Sequence, residues 1–446
     1  MSDIAALRRA DLAHVWHPCT PTDAFEQSAF PIMERGEGVW LYSVDGRRYL
    51  DAIASWWCVN LGHSHPRLVA AMREQAGRLQ HCILGGMSHP PVIELAGRLA
   101  AIAPPGLRHS FFAGDGASAV EAALKIALQY WRNIGVEGRT EFIALEEGYH
   151  GDTLGAIGVG YVDAFHRDFA AVVRPAHRAC SPHCAQCPFG REPESCALEC
   201  FDSMERLLTE RAGRIAAVIV EPLCQGAAGM RIYPPKYLQR LRALCDKHDV
   251  LLIADEIATG FGRTGEWFAC SLAGISPDIM TIGKGLTGGT LPMSATMVTT
   301  RLYDAFRDGP GGADRTFWHS HTYGGNPVAA AVANEAIRVY TEEGVLDHAR
   351  DMAPRLAAVV GRAAALLPGS RVRTLGMIGV VEVSDAAGGA ARARAIGRAA
   401  VAAGLLLRPR GRAVYIWPPL TITAAELDTL ESLLLAAIRA TESTTP

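Results

Sequence analysis

Short, uninterrupted apolar runs recur along this chain, and several end on residues able to do chemistry. The run VLLIA at 250–254 ends on Asp255 and Glu256, and DIMTI at 278–282 follows Pro277 and ends at Gly283, Lys284 and Gly285. Runs this short, bounded by polar or turn residues, predict strands buried on both faces of a parallel sheet. A third run, IAAVIV at 215–220, ends on Glu221 and Pro222. The helical-period stretch 235–248 then delivers the chain to Val250, which predicts a strand–helix–strand crossover. Upstream, SFFAG at 110–114 leads through Asp115, Gly116, Ala117 and Ser118 into a stretch with apolar residues at helical spacing. Residues 38–50 alternate around Asp45-Gly46, a strong hairpin signal.

The elements imply an α/β protein in three parts. Residues 1–60 read as an amphipathic lead-in helix and short strands that join a small domain. Residues 61–340 form a large domain, and 341–446, with Arg/Ala-rich helices and short strands such as 377–383, form the small one. The tail 441–446 is expected to fray. No internal repeat or low-complexity linker interrupts this order.

An acid at one strand end and a lysine at another place an active site beside the parallel sheet. Pyridoxal phosphate chemistry needs this pair: a lysine forms the Schiff base, and a carboxylate keeps the cofactor's pyridine nitrogen protonated. Lys284 and Asp255 are the candidates, and the glycines flanking Lys284 leave room for a cofactor near the backbone. A P-loop is excluded, because Asp278 stands five residues before Gly283 and Gly285 follows the lysine. Taken singly, a helix-capping Asp255 and a solvated loop Lys284 would be the better reading of either residue.

The strings DEIATGFGRTG and PDIMTIGKGLTGG resemble the signature of class III, omega-type aminotransferases of pyridoxal phosphate fold type I. The resemblance runs from about Trp16 to about Pro419. Its acid-to-lysine spacing agrees too (284 − 255 = 29 positions). It implies a large domain with a mostly parallel seven-stranded sheet and a smaller α/β domain. It implies Lys284 and Asp255 as the catalytic pair. Gly116 and Ala117 match the phosphate positions, where a helix start offers backbone N–H groups and the positive end of the dipole. Tyr149, in the string YHGDT, matches an aromatic against the pyridine ring. Thr322 and His321 are implied as cofactor contacts reaching into a neighbouring subunit's site, with Ser320 lining it, so a homodimer follows.

Within the family the chain is most similar to members that aminate 8-amino-7-oxononanoate, with S-adenosylmethionine as donor, in biotin synthesis. That implies a substrate pocket of Trp56, Tyr149, Lys284, Ser320, Arg408 and Tyr415. Arg408 would hold a carboxylate, although Arg410 and Arg412 compete for the role. The family has a tyrosine where this chain has Cys19, which leaves lysine-donor and omega-amine:pyruvate chemistry as alternatives. Gln225 is implied near the cofactor's ring oxygen, and Glu121 near its pocket. Arg263 reads as structural or as a cation near the site.

Composition narrows the partners. Of 446 residues, 49% are hydrophobic and 20% charged, with a net charge of −3. That offers no electrostatic case for nucleic acid or an anionic membrane. No apolar run reaches the roughly 20 residues a bilayer span needs, and the first residues lack the apolar core of a signal peptide. A cytoplasmic enzyme with reduced thiols is expected. Five of the 11 cysteines fall in residues 178–203, where Cys184-x-x-Cys187, Cys196 and Cys200 resemble a zinc ribbon. The short spacing between the pairs, and similar inserts in some members of the family, favour a loop without metal. His63 and His65, followed by Pro66, read as a turn.

Overall fold

In the computed structural model, residues 3–28, 30–192 and 195–442 are described. The expected fraying of 441–446 falls mostly outside them. A seven-stranded sheet forms the centre, in the order Leu107–Ala113, Ser294–Thr299, Ile279–Ile282, Leu251–Asp255, Ile215–Val220, Glu141–Leu145, His177–Ala179. Only Ser294–Thr299 runs antiparallel to its neighbours; the other pairings are parallel. This is the mostly parallel α/β sheet expected from the apolar runs.

Burial on both faces explains why those runs are apolar without alternation. Every residue of Ile215–Val220, Leu251–Asp255 and Ile279–Ile282 is buried. Successive side chains point to opposite faces of a strand. Leu251 and Ile253 therefore pack with the helix Gly116–Asn133, while Val250 and Leu252 pack with Tyr237, Leu238 and Leu241 of Pro235–Lys247. Trp131 locks the first helix to the sheet by donating its indole N–H to the Ala216 carbonyl at 2.9 Å.

Two smaller sheets flank this core. One joins Arg371–Leu375, Ile378–Glu382 and Ala413–Ile416; the other joins Met33–Glu37, Trp40–Ser43, Arg48–Asp51 and Leu405–Leu406. The expected hairpin is present, with Trp40 opposite Leu50 and Gly46 at φ +81°, a conformation glycine adopts without strain. Its Arg48–Asp51 strand pairs in parallel with Leu405–Leu406, so the chain's beginning and end share one sheet. The lead-in helix Ile4–His14 buries none of its residues. No described helix is long and apolar enough to cross a membrane.

Arg263 ties the parts together. Its fully buried guanidinium donates to the carbonyls of Met377 (3.0 Å) and Pro418 (2.8 Å) and to Asn60 Oδ1 (2.9 Å). Of its two readings, the geometry takes the structural one. The cysteine loop packs on the apolar layer beside Pro235–Lys247, and all its thiols are free. Burial pushes Cys184 up to about 11 and Cys200 up to about 12. Among the described residues no three His, Cys, Asp or Glu side chains are gathered around a metal position. His63 pairs with Asp51 at 2.9 Å, and His65 lies 3.5 Å from Glu343.

Candidate active site

Parallel strands end on the same side, so the residues that follow them converge. Asp255 closes one strand, Glu221 follows Val220, Lys284 follows Ile282 by two residues, and Gly116 lies just beyond Ala113. These four, with Ala117, Tyr149, His150, Gly151, Trp57 and Cys58, line a cavity of about 740 Å³.

Asp255 is 5% exposed and held from three directions. His150 Nδ1 donates to Oδ2 at 2.7 Å, while the Ile257 N–H and the Thr281 hydroxyl each donate to Oδ1 at 3.1 Å. This array fixes a buried carboxylate rather than capping a long helix. Lys284 sits at φ +42°, in the left-handed region. Its Nζ has no hydrogen bond or ion pair among the described residues and lies 5.4 Å from the centroid of the Trp57 indole. Burial pulls its pKa down and the Asp255 charge opposes that. Glu221 accepts from the N–H groups of Tyr149 (3.0 Å) and Gly226 (2.9 Å), yet burial pushes its pKa up to about 7.

The helix Gly116–Asn133 opens at the cavity. Asp115 caps it, accepting from the Ser118 N–H at 2.9 Å and the Ser118 hydroxyl at 2.8 Å. The earlier amides, Gly116 and Ala117, have no intrahelical carbonyl to bond. Gly116 allows close approach: a Cβ there would stand 2.9 Å from Ile257 Cδ1.

Trp57 forms a wall of the cavity, while Trp56, which the resemblance put in the substrate pocket, is 44% exposed and is not among its lining residues. The cause is a left-handed turn, Ala54–Trp57, in which all four residues have positive φ. Each such residue costs about 1–2 kcal/mol. The turn rotates Trp57 inward, where it stacks on Trp417 at 5.2 Å and meets the edge of Tyr415 at 6.2 Å. Tyr415 therefore stands behind Trp57. Arg408 lies over Trp56, 4.1 Å from the ring centroid, and donates to the Cys19 carbonyl at 3.0 Å. Cys19, Trp56 and Arg408 thus form one group, and none of the three lines the cavity.

Other candidates lie elsewhere. Gln225 donates to the Glu146 carbonyl and accepts from the Ser181 hydroxyl, so its amide is engaged away from the cavity. Glu121 accepts from the Thr153 hydroxyl (2.6 Å) and the Gly155 and Ala156 N–H groups, capping the helix Leu154–Val159. Ser320, His321 and Thr322 do not line this chain's cavity, and Ser320 and Thr322 are exposed. His150 and Glu221 were the residues sequence reasoning left without a role. The only signal for Glu221 was its place at a strand end.

Pyridoxal phosphate presents an aldehyde, a ring nitrogen and a phosphate. The cavity offers an unpaired amine, a buried carboxylate and a helix N-terminus. The donor set fits.

Comparisons with known proteins agree. A family model described as aminotransferase class-III matches residues 23–438. The adenosylmethionine-8-amino-7-oxononanoate aminotransferase of Geobacter sulfurreducens is 41% identical over 436 residues, covering 96% of each chain. Its counterpart in Nitratidesulfovibrio vulgaris is 42% identical, over 98% of this chain and 82% of that one. The crystal structure of the Methanocaldococcus jannaschii enzyme of the same name superposes with a TM-score of 0.92 at 34% identity, covering 98% of this chain and 99% of that one. An omega transaminase from Pseudomonas jessenii, in complex with PMP, gives 0.92 at 29% identity over 98% of both chains.

Proposed function

The chain belongs to the class-III aminotransferase family, and from that premise we propose that it transfers an amino group from S-adenosylmethionine to 8-amino-7-oxononanoate. The product would be 7,8-diaminononanoate, for biotin synthesis. One observation carries the chemistry: an unpaired amine and a triply held carboxylate share one cavity at the sheet's edge. The names of relatives 35–42% identical over most of the chain support the substrates.

Pyridoxal phosphate, when bound, supplies an electron sink that acidifies the donor's α-proton and stores the amino group between half-reactions. Lys284 Nζ would hold it and serve as the base for that proton; a lowered pKa keeps more of the amine neutral and basic. Asp255, oriented by His150, Ile257 and Thr281, would pair with its ring nitrogen. Gly116 and Ala117 would offer amides to its phosphate, and Tyr149 would lie against its ring. Trp57 narrows the cavity behind the amine, excluding water.

A homodimer with shared sites is part of this reading. Trp318 (84% exposed) and Tyr323 (68%) leave apolar surface on either side of Thr322 in the chain, as a partner face would. A cytoplasmic location fits the reduced thiols and the biotin-pathway substrates.

The test is a half-reaction: S-adenosylmethionine is added to the holoenzyme without acceptor and the cofactor's absorbance is followed. Conversion to the amino form supports the donor. Conversion with lysine or a simple amine alone moves the function to a sister enzyme, and no response to any amine removes the catalytic reading.

A further inference from the structure

Residues 313–321 run without helix or strand, and the exposure of their side chains alternates. Trp318, Ser320 and Thr322 are exposed, while Phe317, His319 and His321 between them are half-buried. A period of two marks an extended chain with one face fixed and the other presented outward.

The fixed face is held by the helix Gly116–Asn133. Gln129 and Lys125 lie one turn apart on it, so their side chains share a face. Gln129 Nε2 donates to the carbonyls of Arg315 (3.0 Å) and Thr316 (3.1 Å), supplying bonds that a segment without a strand partner must find elsewhere. Lys125 Nζ donates to His319 Nδ1 at 3.2 Å. Burial, followed by the Lys125 charge, pulls the His319 pKa down, so the ring is neutral and can accept. That ring stacks on Phe111 at 5.8 Å and meets His321 edge-on at 5.0 Å. At the far end the Gly324 N–H donates to the His321 carbonyl at 2.9 Å. One helix therefore opens at this chain's cavity with its first amides and, two to three turns on, sets the row Trp318, Ser320, Thr322.

We propose that Gln129 and Lys125 are positioning residues that act across the subunit interface: they fix the segment 315–322 on their own chain, and with it the Thr322 hydroxyl offered to the cofactor phosphate in the partner subunit. This rests on the shared-site reading. An irregular segment freed from these bonds must be ordered when the phosphate binds, whereas here the helix orders it beforehand. Cofactor affinity at one site thus depends on a helix of the other chain.

The test is cofactor affinity in hybrid dimers, read from the absorbance of the lysine-bound cofactor as pyridoxal phosphate is titrated into apoprotein. Each hybrid pairs one Lys284→Ala chain with one chain that keeps Lys284, so a single site per dimer gives the signal. Gln129→Ala on the Lys284→Ala chain is expected to raise the dissociation constant about tenfold, and on the Lys284 chain to leave it within about twofold. Lys125→Met keeps the aliphatic stem at an exposed position and should follow the same pattern with a rise of about threefold. Lys125→Arg, which can donate to His319 again, should recover part of that loss. An equal rise in both arrangements, a rise only from the Lys284 chain, or no rise in either overturns the proposal. Thr322→Ala, placed in the same two ways, reads the shared site by itself. No effect from the Lys284→Ala chain there refutes sharing and takes the proposal with it. An effect of Thr322→Ala from that chain without one of Gln129→Ala refutes the positioning alone.

Discussion

Gly151 is where the loop after Tyr149 touches the helix whose first amides line the cavity. It adopts φ +121°, and a Cβ there would lie 2.4 Å from Ala117 Cβ and 2.8 Å from Ala117 Cα. Ordinary carbon contacts need about 3.5 Å, so Gly151→Ala must push the loop and the helix start apart by about 1 Å. The backbone strain costs about 1–3 kcal/mol, and the overlap adds about 1–3 kcal/mol. Gly138 supplies the control: φ is +86° and nothing lies within 4 Å of its Cβ position. Gly138→Ala therefore carries the backbone term alone, about 1–2 kcal/mol.

The two variants should separate in cofactor affinity. A shift of about 1 Å in a positioned group weakens what it holds by up to about 100-fold. Gly151→Ala is thus expected to raise the dissociation constant for pyridoxal phosphate by about 10- to 100-fold and to lower the thermal midpoint of the apoprotein. Gly138→Ala should leave that constant within about twofold. Titration of apoprotein by absorbance reads both. Cofactor affinity unchanged in Gly151→Ala would refute the placement of the Gly116–Ala117 amides against the phosphate.

Lys284→Ala should abolish multiple turnover while leaving the fold intact by circular dichroism, because it removes the one unpaired amine in the cavity; retained turnover would sink the assignment. Mixing Lys284→Ala chains with Thr322→Ala chains should restore activity, since each hybrid dimer carries one site with both groups intact. No recovery on mixing argues against sharing. Glu221 gives a pH signature in the apoprotein. Its folded pKa of about 7 lies above the ordinary value of 4.5, so between those pH values the unfolded chain loses its proton first and stability falls as pH rises. Above about pH 7 the penalty levels off near 3 kcal/mol. The stability of Glu221→Gln relative to wild type should therefore grow by about that amount from pH 5 to pH 8; a flat difference in urea midpoints would refute it.

Local pattern sufficed for the elements. Leu251–Asp255, Ile279–Ile282 and Ile215–Val220 were legible because burial on both faces demands uninterrupted apolar residues. The hairpin was legible because Asp45-Gly46 suits its turn. Asp255 and Lys284 could be singled out because each stands beside such a run. Nothing in the runs themselves says which side chain each will meet.

That was decided by the tertiary structure. His150 reaches Asp255 across 105 positions, and Glu221 binds the Tyr149 amide across 72, because parallel strands align their ends whatever the sequence between them. Trp57 rather than Trp56 faces the cavity because a left-handed turn, which hydrophobic periodicity cannot register, rotates the pair. Gln225 is drawn to Glu146 and Ser181. Sequence alone determined the strands, the acid and the lysine, since each is set by its own neighbours' need for burial. Their partners were fixed only when distant segments packed into one cavity.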